Sequence, residues 1–403
     1  MTPKRSLSIL FFTIFLDLMG YGLIIPLLPD YVRSLGASAL LVGVVAAAYS
    51  VTQFLFGPVL GSLSDRFGRR PVLLGTIALN VVAYCVFGLA HTLPLLLASR
   101  LLAGAASGNL SVAQAYITDL TPPEGRAKAL GLVGAALGLG FIFGPPVGGV
   151  VKFYLGIAWV GYVAALLAAL NLLLALVRLP ESRPAARPVR PVRFFDAAAL
   201  AAVGRSSQLR RLFGMYFLFT LAFALLTVSG ALLWKDRFGL NDAQIGYTFA
   251  FIGVVTAFVQ LGLLGRLVPR FGERRLLLTG LLLMAVGFVP MPFVAPGAFG
   301  SGELLLIAVF GFGYALVLPT GAALVSRAVG PAEQGQLLGQ YQSVAALARI
   351  VGPVIGASLY GWRLEAPYVV GGGLMLLTWL MAQAIRQPAA LPEATPLPSS
   401  ATA

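Results

Sequence analysis

The stretch GSLSDRFGRRPVLL, from Gly61 to Leu74, is a short polar segment between two long apolar runs. We predict a loop here, because glycine at Gly61 and Gly68 lets one stretch of backbone pass close to another. The segment recurs 204 positions later, from Gly265 to Leu278, as GRLVPRFGERRLLL, in which eight of its residues are retained. A repeat with so long a period indicates a duplicated half.

The composition predicts a membrane protein. Of 403 residues, 59% are hydrophobic and 10% are charged, which is more apolar surface than one soluble core could bury. The net charge of +14 does not indicate nucleic acid binding, because the Lys and Arg residues lie between apolar runs. The single cysteine, Cys85, excludes an intrachain disulfide and a Cys-based metal site, and we expect His91 to be a solvated loop residue. We predict neither a metal nor a cofactor.

Twelve apolar runs, each of ~20 residues, predict an all-α polytopic protein with six membrane spans in each half. We expect an N-terminal six-helix bundle over residues 1–178, a Pro- and Arg-rich cytoplasmic linker over 179–209, a C-terminal six-helix bundle over 210–386 and a disordered cytoplasmic tail over 387–403. The alanine-rich end of the linker, from Phe194 to Val203, suits either a short helix on the inner leaflet or a plain solvated linker.

The distribution of Lys and Arg predicts the orientation. Cytoplasmic segments carry an excess of these residues, so we expect both termini in the cytoplasm and a location in the inner (plasma) membrane. Of the 28 Lys and Arg residues, five then lie in outer segments and two inside spans; these are Arg33, Lys152, Lys235, Arg237 and Arg363, and Arg100 and Arg349.

Further repeated residues support the duplication. A set from the fifth predicted span and the segment before it recurs 208 positions later, in and before the eleventh; Pro123, Gly131, Gly144, Pro145 and Gly148 become Pro331, Gly339, Gly352, Pro353 and Gly356. Parallel six-helix halves related by an axis along the membrane normal are typical of secondary transporters, which bind substrate near the midplane between the halves.

These motifs resemble the major facilitator superfamily, and within it the twelve-helix drug/proton antiporter branch, most closely the tetracycline/proton antiporters. In the first helix the matching residue is Asp17, in LDLMGYGLIIPLLP. In the segment between the second and third helices the matches include Gly61, Asp65, Arg66, Gly68, Arg69 and Arg70, and in the fourth helix they are Arg100, Gly104 and Gly108. In the fifth they are Gly134, Gly138, Gly140, Gly144, Pro145, Gly148 and Gly149.

The resemblance implies a proton-coupled exporter of lipophilic or amphipathic molecules, such as drugs or tetracycline, that works by alternating access. Two positions depart from the tetracycline pattern. Where those antiporters place a histidine in the eighth helix this chain has Thr256, and their ninth-helix aspartate falls at Met284. Both titratable groups of that pattern are therefore missing, which argues against proton coupling through these two positions and against recognition of a metal-bound tetracycline.

Asp17 is the only acid well inside a predicted span, where a charged carboxylate costs at least ~2.5 kcal/mol on insertion scales. We interpret it as a proton carrier or substrate anchor; a purely structural role among polar neighbours is the alternative. Arg100, in the fourth span, stays charged and needs a partner, for which Asp17 is the natural candidate. The resemblance implies a role for Arg100 in proton transfer. Arg349 has three possible partners, which are helix ends, Asp17 across the cavity or an anionic substrate group; alternatively its side chain reaches towards a membrane interface.

The charged residues of the quoted segment, with an acid from the fourth helix, are predicted to form a cytoplasmic gate: Asp65, Arg66, Arg69, Arg70 and Asp119. The resemblance implies that Asp65 also faces the N-terminus of the eleventh helix near Gly335, where the helix dipole favours an anion. We expect this latch to hold in the outward-facing state and break when the halves rock. Alternatively, the charges only set the topology.

The glycines of the fifth helix recur at Gly-x3-Gly spacing, which favours close helix packing. We expect a tight seam between the halves on the outer side, although generic small-residue packing predicts the same pattern. Polar candidates for the substrate cavity are Gln53, Asn109, Gln114, Gln260, Gln340, Tyr341 and Arg349. Together with tyrosines such as Tyr21, Tyr49 and Tyr84, they predict a cavity suited to lipophilic or amphipathic organic molecules.

The leading hypothesis is a monomeric transporter whose partners are the lipid bilayer, protons and a small-molecule substrate. Sugar or metabolite efflux by the same fold is the alternative. An enzyme is disfavoured, since one histidine and scattered acids make no catalytic constellation. A channel is disfavoured by the duplication and the gate-like segment. No Gly-x4-Gly-Lys-Ser/Thr loop occurs, so ATP is not the expected energy source.

Overall fold

The computed structural model describes residues 3–121, 126–182, 203–327 and 334–385. Within these ranges the chain is helical and contains no strand, and twelve helices are long and apolar enough to cross a membrane. The prediction of an all-α polytopic membrane protein is confirmed. Most of the predicted linker and all of the predicted tail lie outside the described residues.

The twelve spans follow one another in two groups of six. The first group is α1 (Pro3–Ile24, continued by the turn Ile25–Leu27 and the helix Leu28–Ser34), α2 (Ala39–Phe67), α3 (Arg69–Gly88), α4 (Leu93–Ala106 and Asn109–Leu120), α5 (Arg126–Leu155) and α6 (Ile157–Arg178). The second group is α7 (Ser207–Phe238), α8 (Asp242–Ala257, the π-helical turn Phe258–Leu263 and Leu264–Phe271), α9 (Glu273–Phe288), α10 (Leu304–Arg327), α11 (Gln334–Trp362) and α12 (Ala366–Gln383).

Helices satisfy their backbone polar groups internally, which a bilayer requires because it offers no water as a partner. Where helices begin, polar side chains accept hydrogen bonds from backbone amides that have no partner within the helix. The Ser38 hydroxyl accepts from the Leu41 amide at the start of α2, and Asn241 and Gln244 form a reciprocal capping box at the start of α8.

The segment Gly61–Leu74 is not the loop that we predicted. Helix α2 continues through its acidic and basic residues to Phe67, and α3 begins at Arg69, so Gly68 alone connects them. The prediction was wrong because polar composition indicated a loop, whereas one glycine with φ 99° is enough to reverse the chain direction. The repeat behaves in the same way, since Gly272, with φ 75°, separates α8 from α9.

The two groups of six helices pack as two bundles with matching neighbours. In the first bundle α1 packs on α5 and α3 on α6, and in the second α7 packs on α11 and α9 on α12. The bundles meet through α2 against α11 and α5 against α8. We call the end of the molecule where α2 meets α3 the Gly68 end, and the opposite end, where α1 finishes, the Asp30 end.

The glycines of α5 pack within their own bundle, and the expected glycine seam between the halves is wrong in this respect. A Cβ added to Gly140, Gly144 or Gly148 would strike the backbone of α1, while one at Gly138 would meet nothing within 4 Å. The seam next to it involves Gly149, whose added Cβ would lie 2.3 Å from the Asp242 carbonyl oxygen of α8. Helix rotation, which one sequence does not fix, decides which glycines face which bundle. Gly134 lies in α5, and its surroundings are not described.

Candidate functional site

Asp17 lies midway along α1 and is half-buried among amides. Its carboxylate accepts a hydrogen bond from the Asn80 side chain of α3. The Asn109 side chain of α4 also donates to it. Asn80 and Asn109 are themselves buried. The structure therefore brings together the predicted Asp17 and Asn109, and adds Asn80, which the sequence alone did not single out among apolar residues of α3.

Arg100 does not pair with Asp17, so the expected ion pair is wrong for this conformation. The guanidinium lies 4.8 Å from the ring centroid of Phe87, and its Nε donates to the Ser99 hydroxyl at 3.3 Å. Arg100 precedes Asn109 by nine residues on α4. Nine residues correspond to ~13 Å of helix, so the backbone of Arg100 lies far along the span from that of Asn109, which contacts Asp17. The Nη2 atom of Arg100 is buried and has no hydrogen-bond partner among the described residues.

Tyrosines line the space next to Asp17. The rings of Tyr21 and Tyr49 stack with centroids 4.5 Å apart, which joins α1 to α2. A Cβ added to Gly20 would lie 3.0 Å from the Tyr84 hydroxyl, so the missing side chain of Gly20 lets the Tyr84 ring pack directly on α1. The predicted aromatic character of the site is thereby present in the N-terminal bundle.

Arg349 is half-buried on α11, one turn from Pro353, whose carbonyl packs against Gly43 of α2. It lies within electrostatic range of the hydroxyl groups of Tyr21 on α1 and Tyr314 on α10. Within the described residues it forms no ion pair with a carboxylate. Arg349 is therefore an unpaired cation between the bundles, beside the tyrosines that adjoin Asp17.

The other cavity candidates are not gathered in one place. Tyr341 is buried and stacks on Tyr216 with centroids 3.8 Å apart, and its neighbour Gln340 is also buried. Gln114 is exposed, whereas Gln53 and Gln260 are half-buried. None of these three contacts the Asp17 carboxylate.

The Gly68 end carries an ion-pair cluster centred on the buried side chain of Arg69. Its guanidinium bonds to Asp65 at 2.9 Å, to Asp119 at 3.0 Å and to the Ser64 hydroxyl at 2.6 Å. Asp65, Arg69 and Asp119 thus meet in one cluster, but all three belong to the N-terminal bundle, and their role as a cytoplasmic gate stays a prediction. Residues 328–333, which lead into α11, lie outside the described residues, so the contact of Asp65 near Gly335 stays a prediction.

Glu181 completes the Gly68 end and was missed by sequence reasoning. Its two carboxylate oxygens accept from the backbone amides of Arg69 and Arg70, at 2.9 and 3.1 Å. A carboxylate is stabilised there by the free amides and the dipole at the start of α3. A Cβ at Gly68 would lie 2.6 Å from a Glu181 oxygen, so the glycine also leaves room for this contact. Arg66 instead lies over the ring of Phe67.

The Asp30 end carries a second network, which joins the two bundles. Arg33 binds Asp236 of α7 at 2.8 Å, Lys235 of α7 binds Asp30 at 2.7 Å, and Lys152 of α5 binds both Asp30 and Asp242 of α8, at 2.5 and 2.7 Å. The Tyr360 hydroxyl of α11 donates to Asp236 at 2.9 Å. We call these seven residues the interbundle network. The sequence analysis treated its cations only as topology signals.

Backbone contacts between the bundles also concentrate near the Asp30 end. A Cβ at Gly43 would lie 2.6 Å from the Pro353 carbonyl, and one at Gly246 would lie 2.5 Å from the Pro145 carbonyl. Further along α8, a cleft of about 460 Å³ opens between Ile142 of α5 and Phe258 and Leu261 of α8. The described contacts therefore close the Asp30 end, and α5 and α8 diverge towards the other end.

No group of three potential metal ligands occurs in the part of the chain that the structure describes. Met284, at the position of the missing ninth-helix aspartate, is buried and packs against Gly313 of α10. Thr256 is half-buried. No ionisable side chain of α8 or α9 thus replaces the two groups that this chain lacks.

Comparison with known proteins agrees with this architecture. The model of the Major Facilitator Superfamily matches residues 10–263 and 212–402. The tetracycline resistance protein of class C from Escherichia coli is 33% identical over 94% of this chain and 96% of its own length. The human major facilitator superfamily domain-containing protein 10 is 31% identical over 96% of this chain and 94% of its own length.

A solved structure shares both fold and sequence. The crystal structure of the human organic anion transporter MFSD10 (TETRAN) superimposes with a TM-score of 0.70 and 28% identity, over 94% of this chain and 99% of that one. Proteins of this family move small molecules and are not enzymes. The chain is therefore a multi-pass membrane transporter that belongs to the Major Facilitator Superfamily.

Proposed function

We propose that this transporter exports lipophilic or amphipathic small molecules in exchange for protons, and that Asp17 is the proton carrier. The observation that carries the proposal is the placement of a half-buried carboxylate in mid-span, held by Asn80 and Asn109, with which no cation of the described residues forms an ion pair. A carboxylate that is bound by neutral amides can accept a proton without leaving a partner charge unpaired, because no salt bridge has to break. The relationship to tetracycline resistance proteins supports the same function.

The two charged ends support alternating access. We propose that the Gly68 end and both termini face the cytoplasm in an inner (plasma) membrane, following the excess of Lys and Arg there. The interbundle network then closes the outer side, and the present conformation faces inward. A two-state carrier needs contacts that exist in only one state, and three of the ion pairs of the network span the bundles.

Transport by purified protein in liposomes tests this function. An imposed pH gradient should drive accumulation of a lipophilic cation dye or of tetracycline, and addition of substrate should move protons in the opposite direction. Asp17→Asn keeps a polar group of the same size and should abolish proton movement. Proton movement that persists in Asp17→Asn would remove the assigned role of Asp17, and transport without any coupled ion would indicate a facilitator.

Arg349 favours a second candidate function, the export of organic anions. Its charge lies unpaired between the bundles and beside the tyrosines near Asp17, where an anionic group could bind it. The similarity to a human organic anion transporter points in the same direction. Competition between a dye substrate and aromatic carboxylates distinguishes the two candidates, since Arg349→Gln should weaken inhibition by the anions alone. Equal inhibition of both proteins would exclude a role of Arg349 in anion recognition.

A further inference from the structure

Glu303 is a buried acid for which the transport mechanism above has no role. It ends the π-helical turn Phe299–Glu303 that leads into α10, and its side chain is 0% exposed. One carboxyl oxygen, Oε1, accepts from the indole Nε1 of Trp234 at 2.8 Å. The other, Oε2, is buried and has no hydrogen-bond partner among the described residues.

Among the residues that the structure describes, no cation is in contact with Glu303. From α7, Arg237 lies within electrostatic range, but its Nε donates to the Val294 carbonyl, and it forms no ion pair with Glu303. From α12, the ionisable neighbour is Tyr368, whose buried, uncharged hydroxyl lies beside Ser229 of α7. A buried carboxylate with one neutral donor and a bare oxygen is unfavourable, because burial removes its hydration without replacing it.

A proton on Oε2 neutralises the carboxyl group and so removes the cost of a buried charge. We propose that Glu303 is a proton-binding site of the C-terminal bundle, distinct from Asp17, and that it holds its proton while the Asp30 end is closed. On ionisation the O–H bond at Oε2 breaks and the proton passes to water, while Oε1 keeps the bond from Trp234. The inference concerns a different group from the one on which the proposed function rests.

The position of Trp234 connects this site to the interbundle network. Trp234 is followed on α7 by Lys235 and Asp236, which bind Asp30 and Arg33 of the other bundle. Water reaches these two side chains, since they are 39% and 37% exposed, whereas Trp234 is 1% exposed and covers Glu303. Within the proposal, separation of the bundles at the Asp30 end is the step that gives Glu303 access to water, because it releases the contacts of the two residues that follow Trp234.

Infrared spectroscopy of the full-length protein in lipid vesicles tests the site directly. At neutral pH, the C=O band of a protonated carboxyl group should be present in Asp17→Asn, which lacks the proposed proton carrier, and should be lost in the double variant Asp17→Asn/Glu303→Gln. The control Glu365→Gln changes a half-exposed acid at the start of α12 and should leave the band unchanged. A band that survives in Asp17→Asn/Glu303→Gln would overturn the proposal, whatever the role of Asp17.

Two further variants keep the proposal testable if Glu303→Gln does not fold. Trp234→Phe removes the N–H donor and should raise the frequency of the band, because a carbonyl without a hydrogen bond vibrates faster. In the variant Ala39→Cys/Gly361→Cys, a disulfide that holds the Asp30 end closed should slow the shift of the band on transfer to D2O, and a reductant should restore the rate. A band that Trp234→Phe leaves unshifted would contradict the assignment. Equal exchange rates of the disulfide-bonded and the reduced protein would contradict it as well.

Discussion

Arg70 and Arg274 stand 204 positions apart in the repeat, and each donates to a main-chain carbonyl at the end of the sixth helix of its own bundle. Arg70 reaches the Leu176 carbonyl at 2.7 Å, and Arg274 reaches that of Gln383 at 2.5 Å. The last carbonyls of a helix have no hydrogen-bond partner within it. In each bundle the repeated arginine supplies a donor for one of them. This contact assigns Arg70 a packing role, where the sequence suggested only a gate.

Replacement of Arg69 should destabilise the protein more than replacement of Arg66. Arg69→Ala leaves Asp65 and Asp119 without their shared cation, and its side chain is only 8% exposed. Removing one member of a buried pair costs up to ~3 kcal/mol. Arg66→Ala is the matched control, since Arg66 is exposed and lies over Phe67. Thermal unfolding of the detergent-solubilised protein measures the difference, and equal midpoints for the two variants would contradict the central position of Arg69.

Gly68 should not tolerate a side chain, whereas Gly61 should. Gly68→Ala forces a residue with φ 99° into a strained conformation and brings a Cβ within 2.6 Å of Glu181. Such strain costs ~1 to 3 kcal/mol. At Gly61 an added Cβ meets nothing within 4 Å, and the position is helical. The thermal midpoint of Gly68→Ala should therefore fall, and that of Gly61→Ala should remain unchanged. Equal stability of both variants would show that the turn at Gly68 is not constrained.

A disulfide between the bundles should lock the transporter. A Cβ at Gly361 would lie 2.5 Å from the Cβ of Ala39, which joins the end of α11 to the start of α2. Small backbone adjustments bring this pair to the ~3.8 Å that a disulfide needs. In a Cys85→Ser background, Ala39→Cys/Gly361→Cys should form a disulfide on mild oxidation and lose transport, and reduction should restore it. The two single-cysteine proteins serve as controls. Full transport by the cross-linked protein would show that the Asp30 end does not open during the cycle.

Weakening the interbundle network should favour the open Asp30 end. Asp236→Asn removes the charge that binds Arg33, a partly exposed pair of ~0.5 to 1 kcal/mol. The ratio of closed to open molecules should then fall about twofold to fivefold. The yield of the Ala39→Cys/Gly361→Cys disulfide measures this ratio in brief oxidation, with Asp119→Asn as a control at the opposite end. A yield that falls equally in both variants would indicate general loosening, not a specific effect on the network.

The sequence predicted the features that depend on local pattern. Hydrophobic runs predicted the twelve spans, and the repeat predicted two similar bundles, because both follow from the order of residues along the chain. The meeting of Asp65, Arg69 and Asp119 could also be expected from their opposite charges at neighbouring helix ends.

Contacts that depend on helix rotation and tilt could not be predicted. The pairing of Arg33 with Asp236 joins residues 203 positions apart, and no periodicity specifies it. Arg100 and Asp17 looked like partners because both are charged and lie within spans, but their heights along the bundle differ. Glu181 follows a helix end closely, yet only the three-dimensional position of the start of α3 gives this acid its partners.

The one-residue connection at Gly68 restricts how the transporter can move. Phe67 and Arg69 belong to different helices but are joined through a single peptide unit on each side of the glycine, and Glu181 ties the start of α3 to the chain beyond α6. Bending at this corner would break the contacts of Arg69, so α2, α3 and the end of α6 must travel as one rigid body. Any rotation that separates α2 from α11 then moves the entire N-terminal bundle as one unit.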